Sequence, residues 1–243
     1  MQDGWEVLYQ RNHAMLAAAL ASAWDEDLRV HPPRLWSETL VAIAQHDDEE
    51  NFWSEDNTHL NDMGAPLDFT RTSSALKLKK VRFVTAQAER QHRWIATLIA
   101  RHHLHIYQQA RQEHTDLNDF LDQQAEAVER WLAELSIEKD LLERTYAIMR
   151  WCDRLSLILC KRQVPVMGRE LDIAPGPDSN MIRIWRGEDD SLRLSKWVFG
   201  PDKILFEAEA RLLEQPTFED GEELRMALDS ARVVERHWQF ERV

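Results

Sequence analysis

A chain of 243 residues is long enough to bury a sizeable core, as one domain or as one domain with an appendage. A hydrophobic fraction of 44%, with ten Trp and eight Phe, excludes a disordered chain, and seven Gly and eight Pro are too few for a turn-rich β fold. The net charge of −13 excludes general binding to a nucleic-acid polymer, because such a surface repels a phosphate backbone.

The first predicted helix runs from about Glu6 to Ala23, with Tyr9, His13, Leu16, Leu20 and Ala23 on one stripe. His31-Pro-Pro-Arg34 reads as loop, since proline does not fit a helix interior. Ser37 is placed to cap a second helix, Glu38 to about Glu50. The polar stretch Ser54–Thr70 reads as a loop. A third helix follows over about Ser74–Ala88, with Lys77, Lys79, Lys80 and Arg82, and a fourth over about Gln91–Gln112, with Ile95, Leu98, Ile99, His102 and Ile106 in register. Asp116–Lys161 reads as two helices broken near Ser136 and stopped by Pro165.

Beyond Pro165 the pattern changes. Met181–Arg186, Leu192–Phe199 and Ile204–Leu213 alternate as short strands, Glu219–Arg232 is helical, and His237–Val243 alternates again. The expected fold is therefore mainly α: a helical bundle over residues 1–164, with a small antiparallel β-sheet plus helix over 165–243 docked on it. Cys152 and Cys160 are too far apart on one helix to bridge, which suits a reducing compartment. No signal peptide is read at the N-terminus, and no stretch approaches the roughly 18 apolar residues of a membrane span, so a cytoplasmic protein without a membrane partner is expected. The Trp residues of the C-terminal region, read as exposed, leave a homo-oligomer open.

Chemistry is carried by ionisable residues on apolar faces. His13 is flanked by Tyr9, Leu16, Ala17 and Leu20; Asp47 follows Leu40, Ile43 and Ala44; Asp153 stands among Leu142, Tyr146, Met149, Leu157 and Cys160. A buried carboxylate without a partner costs several kcal/mol, so core acids are paired, protonated or bound to a metal. One divalent ion would compensate both acids, and imidazole with carboxylate suits Mn, Fe, Zn, Mg or Ni. His46 and Asp47 are adjacent, so both can reach one ion beside their helix. Each piece has a plainer reading: His13 as a hydrogen-bonded core histidine, and Asp153 as a partner of Arg150 or Arg154.

The ordered set His13, His46-Asp47, Asp153 resembles the HD superfamily, helical bundles with ligand order His…His-Asp…Asp. A closer resemblance is to a bacterial family of HD-like proteins of unknown function. It is carried by Gln10-Arg-Asn-His13, Ala42-Ile-Ala-Gln-His-Asp-Asp48 with Trp53 and Asp56, His102 with Tyr107, Trp151-Cys-Asp-Arg-Leu-Ser-Leu157 with Cys160, and Trp197-Val-Phe199. A Gly-Trp expected soon after the doublet is replaced by Asp48-Glu-Glu-Asn-Phe-Trp53.

The resemblance implies a fold and one divalent ion on His13, His46, Asp47 and Asp153; the first reading built on that site is a phosphohydrolase acting on a small phosphorylated or nucleotide-like molecule. Asp48, or Glu49 or Glu50, would be the general base. His102, facing inward, would be a further ligand, a supporting group or a proton donor, and Lys80 and Arg101, with Lys79, Arg90 and Arg93, are candidates for phosphate contact. Two alternatives stand beside this one. A non-catalytic binding or regulatory module needs only the metal. An HD-type di-iron oxygenase needs two further histidines, for which only His92 and His102 offer themselves. The run Lys77–Arg82 also reads as an exposed face, and His103 and His105 as surface residues.

Overall fold

The computed structural model describes residues 4–29, 32–48, 59–68, 71, 74–108 and 115–243. Their helices are α1 (Gln10–Ser22), α2 (Pro33–Gln45), α3 (Ser74–Gln91), α4 (Arg93–Ile106), α5 (Thr115–Leu135), α6 (Lys139–Cys160) and α7 (Gly221–Ser230). The strands are β1 (Trp5–Val7), β2 (Leu171–Pro175), β3 (Met181–Arg186), β4 (Leu192–Leu194), β5 (Lys203–Leu213) and β6 (Arg232–Glu241). No helix among the described residues is long and apolar enough to cross a membrane.

The expectation of a mainly α protein with a small sheet is overturned. The chain is about 52% helical and 20% strand, and its six strands form one curled mixed sheet, a half-barrel. Its order is β1-β5-β6-β4-β3-β2. The sheet is not purely antiparallel either, because β4 and β6 run parallel through Leu192 and Phe240. Residues expected in the first helix supply one edge: Trp5 pairs with Leu213 and Val7 with Arg211. Glu6 is gripped there by Arg162 and Arg236. Three residues cannot display a strand pattern of their own, and their partner lies some two hundred residues away.

Further element ends moved for identifiable reasons. α2 starts at Pro33, well before Ser37, because proline at the first helical position loses no hydrogen bond. It ends at Gln45, so His46 and Asp47 occupy the turn after the helix; the expected extension to Glu50 lies outside the described residues. Ser136, with φ 54°, makes the expected break between α5 and α6. The strand expected over Leu192–Phe199 stops at Leu194, and β2, which has an exposed Asp172, was not anticipated.

Helices and sheet share one hydrophobic core. Leu16, Leu20, Ile43, Trp94, Leu98 and Trp151 belong to the same buried cluster as Ile182, Ile184, Phe206 and Phe240. An aromatic chain crosses the layers, from Trp24 to Trp151 (centroids 5.4 Å apart), Phe199 (6.2 Å) and on to Phe206 and Phe240. The end of α1 is tied to the same segment, since Asp25 donates its backbone N–H to Val198 and Gly200 donates to Ala23. These contacts fix α1 against α6, which matters for the residues those helices carry. Trp185, Trp197 and Trp238 are half-buried, against the expectation that the C-terminal Trp residues are exposed.

Candidate metal centre

Four side chains from three places in the chain meet between α1, α2 and α6. His13 on α1 is 3% exposed and His46, in the turn after α2, is 1% exposed. His13 Nε2 lies 3.1 Å from Asp47 Oδ2 and 3.7 Å from Asp153 Oδ1. His46 Nε2 lies 3.3 Å from Asp153 Oδ1 and 3.7 Å from Asp47 Oδ2. Ligand atoms held about 2.1 Å from a common ion, at angles of 90–110°, stand about 3.0–3.4 Å apart. Two of the four gaps fall within that range and the two at 3.7 Å lie beyond it; His13, His46 and Asp153 form one group with ligand atoms within 4.8 Å of one another, and His46, Asp47 and His102 a second.

The hydrogen bonds behind the two imidazoles define which nitrogen is free. His46 Nδ1 is 2.6 Å from the carbonyl oxygen of Ile43, which only accepts, so Nδ1 carries the proton. His13 Nδ1 is 2.7 Å from Ser156 Oγ. That hydroxyl spends its own proton on the backbone oxygen of Asp153, at 2.8 Å, so it accepts from His13. In the neutral rings both Nε2 atoms are thereby left as lone pairs facing carboxylates. Lone pairs facing anions repel unless a proton or a metal ion lies between them. The donor set, two Nε2 atoms and two carboxylates with each Nδ1 anchored, is of a kind that could hold a divalent ion.

The electrostatics agree with an attraction for positive charge. Burial, the largest influence on His46, disfavours its protonation, yet Asp47 and Asp153 outweigh it and hold the pKa up at about 9. Burial likewise opposes ionisation of Asp47 and Asp153, but the facing histidines outweigh it and hold both carboxyls below their ordinary value. The ion pairs these acids make among the described residues are with His13 and His46. The plainer reading of Asp153, a salt bridge to Arg150 or Arg154, is not what the helix makes: its charged partners are His13 and His46.

His102 on α4 joins the group, its ring centroid 5.0 Å from that of His46. One ring nitrogen, with ligand atoms of His46 and Asp47, falls within the spread of a shared ion. Its Nδ1 is 3.5 Å from the Tyr146 hydroxyl, at the outer limit of a hydrogen bond. Burial, aided by the neighbouring His46, pushes His102 down to about 4. It is therefore neutral near pH 7 and offers a lone pair, which suits a ligand or base and not an acid.

The remaining candidates are placed differently. Asp48 follows in the same turn, 31% exposed, with Arg11 3.9 Å away. Glu49, Glu50, Trp53 and Asp56 lie outside the described residues. Lys80 on α3 is 7% exposed, so it does not share the exposed face expected for Lys77–Arg82. Arg101 is committed elsewhere: its Nε and Nη2 fork onto Glu143 at 2.8 Å each, and its guanidinium lies 4.5 Å over the Tyr146 ring. His92 caps α4, accepting from the Trp94 N–H, and its Nε2 lies 3.3 Å from Glu38. The pair of further histidines that a di-iron oxygenase needs is thus not assembled by His92 and His102. His103, expected at the surface, is buried at 3% exposure with Thr85 Oγ1 3.2 Å from its Nδ1, whereas His105 is exposed as expected. Ser156 went unassigned in the sequence. Its only signal is a hydroxyl inside an apolar stripe one turn after Asp153.

A family model described as "Protein of unknown function (DUF3891)" matches residues 1–215, and the chain belongs to that family. No curated protein and no solved structure matches it.

Proposed function

We propose that this member of the DUF3891 family holds one divalent ion on His13, His46, Asp47 and Asp153 and is a metal-dependent phosphohydrolase of the HD type, acting on a small phosphorylated molecule. The observation that carries it is the pair of imidazoles whose Nδ1 atoms are tied to Ser156 and to the Ile43 carbonyl, turning both Nε2 lone pairs onto two carboxylates. The chain order of these residues, and their origin on separate elements, supports the likeness to HD proteins.

A divalent ion bound there supplies Lewis-acid polarisation of a phosphoryl oxygen and lowers the pKa of water. The protein's part is to hold the cage rigid. Ser156 and Ile43 fix the two imidazole rings in tautomer and direction. Asp48, next to the doublet and partly exposed, is the residue we assign to accept a proton from an attacking water. Neutral His102, beside Tyr146, adds a further lone pair close to His46 and Asp47.

The test is metal analysis of purified protein joined to a screen with phosphodiesters, phosphomonoesters and nucleotides in Mn²⁺. One ion per chain and turnover that vanishes in Asp47→Ala of unchanged fold are expected. Stoichiometric metal without turnover on any of these classes would remove the enzyme and leave a binding module.

A further inference from the structure

The α6 face that carries Asp153 continues towards the start of the helix through Arg150 and Tyr146 to Glu143, at helical spacings of three and four residues. Residues three apart on a helix have Cβ atoms about 5–6 Å apart, so Arg150 stands beside Asp153. Two arginines neighbour this stripe. Arg101 is neutralised by its fork onto Glu143 and covers the Tyr146 ring. Arg150 is different: it has no carboxylate partner among the described residues, and its half-buried side chain has a buried Nε without a hydrogen-bond partner.

A buried guanidinium N–H left unpaired is costly, because its desolvation is not repaid. Glu143 feels the charge of Arg150, but both its oxygens already accept from Arg101. The Tyr146 ring is occupied by Arg101, and His105, 5.8 Å from that ring, is held below its ordinary pKa by burial first and then by Arg150 and Arg101. With a divalent ion on two carboxylates and two neutral imidazoles, the cage itself carries no net charge. Arg150 then adds a positive charge at its edge that no direct ion pair among the described residues answers.

We propose that Arg150 is a substrate-binding residue, anchoring an anionic oxygen of the phosphoryl group that the neighbouring metal centre receives. A guanidinium presents planar paired N–H donors that match two oxygens of such a group, and a phosphoryl anion would satisfy both its charge and its orphaned Nε. The inference rests on the metal-centre reading above and adds to it the residue that recognises the ligand.

The experiment uses full-length Mn²⁺-loaded protein and inorganic phosphate as probe, read by paramagnetic broadening of the phosphorus NMR line. Arg150→Met is expected to weaken phosphate binding at least tenfold, and Arg150→Lys to weaken it less, with Mn²⁺ content and melting temperature unchanged in both. Arg154→Met removes the same charge from an exposed position on α6 and is expected to stay within twofold of the parent. Unchanged phosphate affinity in Arg150→Met, or equal losses in the Arg150 and Arg154 variants, overturns the anchor while leaving the metal centre intact. Protein that takes up no Mn²⁺ at all fails at the earlier step, and the anchor falls with it. Should Arg150→Met lose its fold, the Lys variant decides, since it keeps the volume and charge but not the planar fork.

Discussion

Ser156 stands directly behind His13: its hydroxyl accepts the Nδ1 proton at 2.7 Å and hands its own to the carbonyl of Asp153, the residue one turn earlier on α6. One side chain thus sets the tautomer of one proposed ligand while leaning on the backbone of another.

Removing that hydroxyl is expected to loosen the site without dismantling the fold. Ser156→Ala takes away an oxygen and little volume, so the helix persists, but the His13 ring is free to turn. Loss of such a supporting contact commonly costs 10–100-fold in metal affinity, about 1.4–2.7 kcal/mol. Competition with a chelator measures it. An affinity within twofold of the parent would show that His13 is oriented by packing alone.

Removing a ligand outright has a different signature. Asp153→Asn keeps the shape but halves the negative charge facing His46, and metal content after dialysis is expected to fall to near zero. Activity should follow the metal and not the fold, which circular dichroism reports. Retained stoichiometric metal in this variant would place the ion elsewhere.

The same groups give the centre a pH signature. His46 has its pKa raised from 6.5 to about 9, so its contribution to stability is complete below 6.5 and lost as pH rises through 9. His102 and His103, pushed from 6.5 to about 4 and about 3 chiefly by burial, act oppositely: their contribution is present above 6.5 and lost as pH falls through those values. For these three groups together, metal-stripped protein is most stable near 6.5. A bound ion replaces the proton on His46 and abolishes the alkaline loss. The gap in melting temperature between Mn²⁺-loaded and stripped protein is therefore expected to widen from pH 6.5 to 9, and a constant gap would contradict competition between proton and metal.

Phe199 tests the unity of the core. It touches Trp151 from the helices and Phe206 and Phe240 from the sheet, and is 1% exposed. Phe199→Ala is expected to cost about 3–5 kcal/mol. Because the cavity would open between the layers, far-ultraviolet dichroism and Trp fluorescence should report one coincident, earlier transition in denaturant. Two separated transitions would mean that the helical and sheet parts unfold independently.

What the sequence revealed, and what it hid, follows from how local each signal is. His13 and Asp153 were legible because an ionisable group in an apolar helical stripe stands out against its own neighbours. The His-Asp doublet was legible by adjacency, although its setting was misjudged: Pro33 starts α2 early, and the helix ends before the doublet, which lies in the turn. His103 was misread because its partner, Thr85, comes from another helix. The β1 edge, the parallel contact of Leu192 with Phe240, and the task of Ser156 all depend on partners far along the chain. Periodicity reports which way a side chain faces, and not what it meets there.

The pairing of Trp5–Val7 with Arg211–Leu213 also has a consequence for biosynthesis. β1 waits on the ribosome for a neighbour made some two hundred residues later, and the helix bearing His13 follows it directly. Until β5 emerges, this edge strand has no neighbour to pair with, and the helix that follows it rests on its packing against α2 and α6.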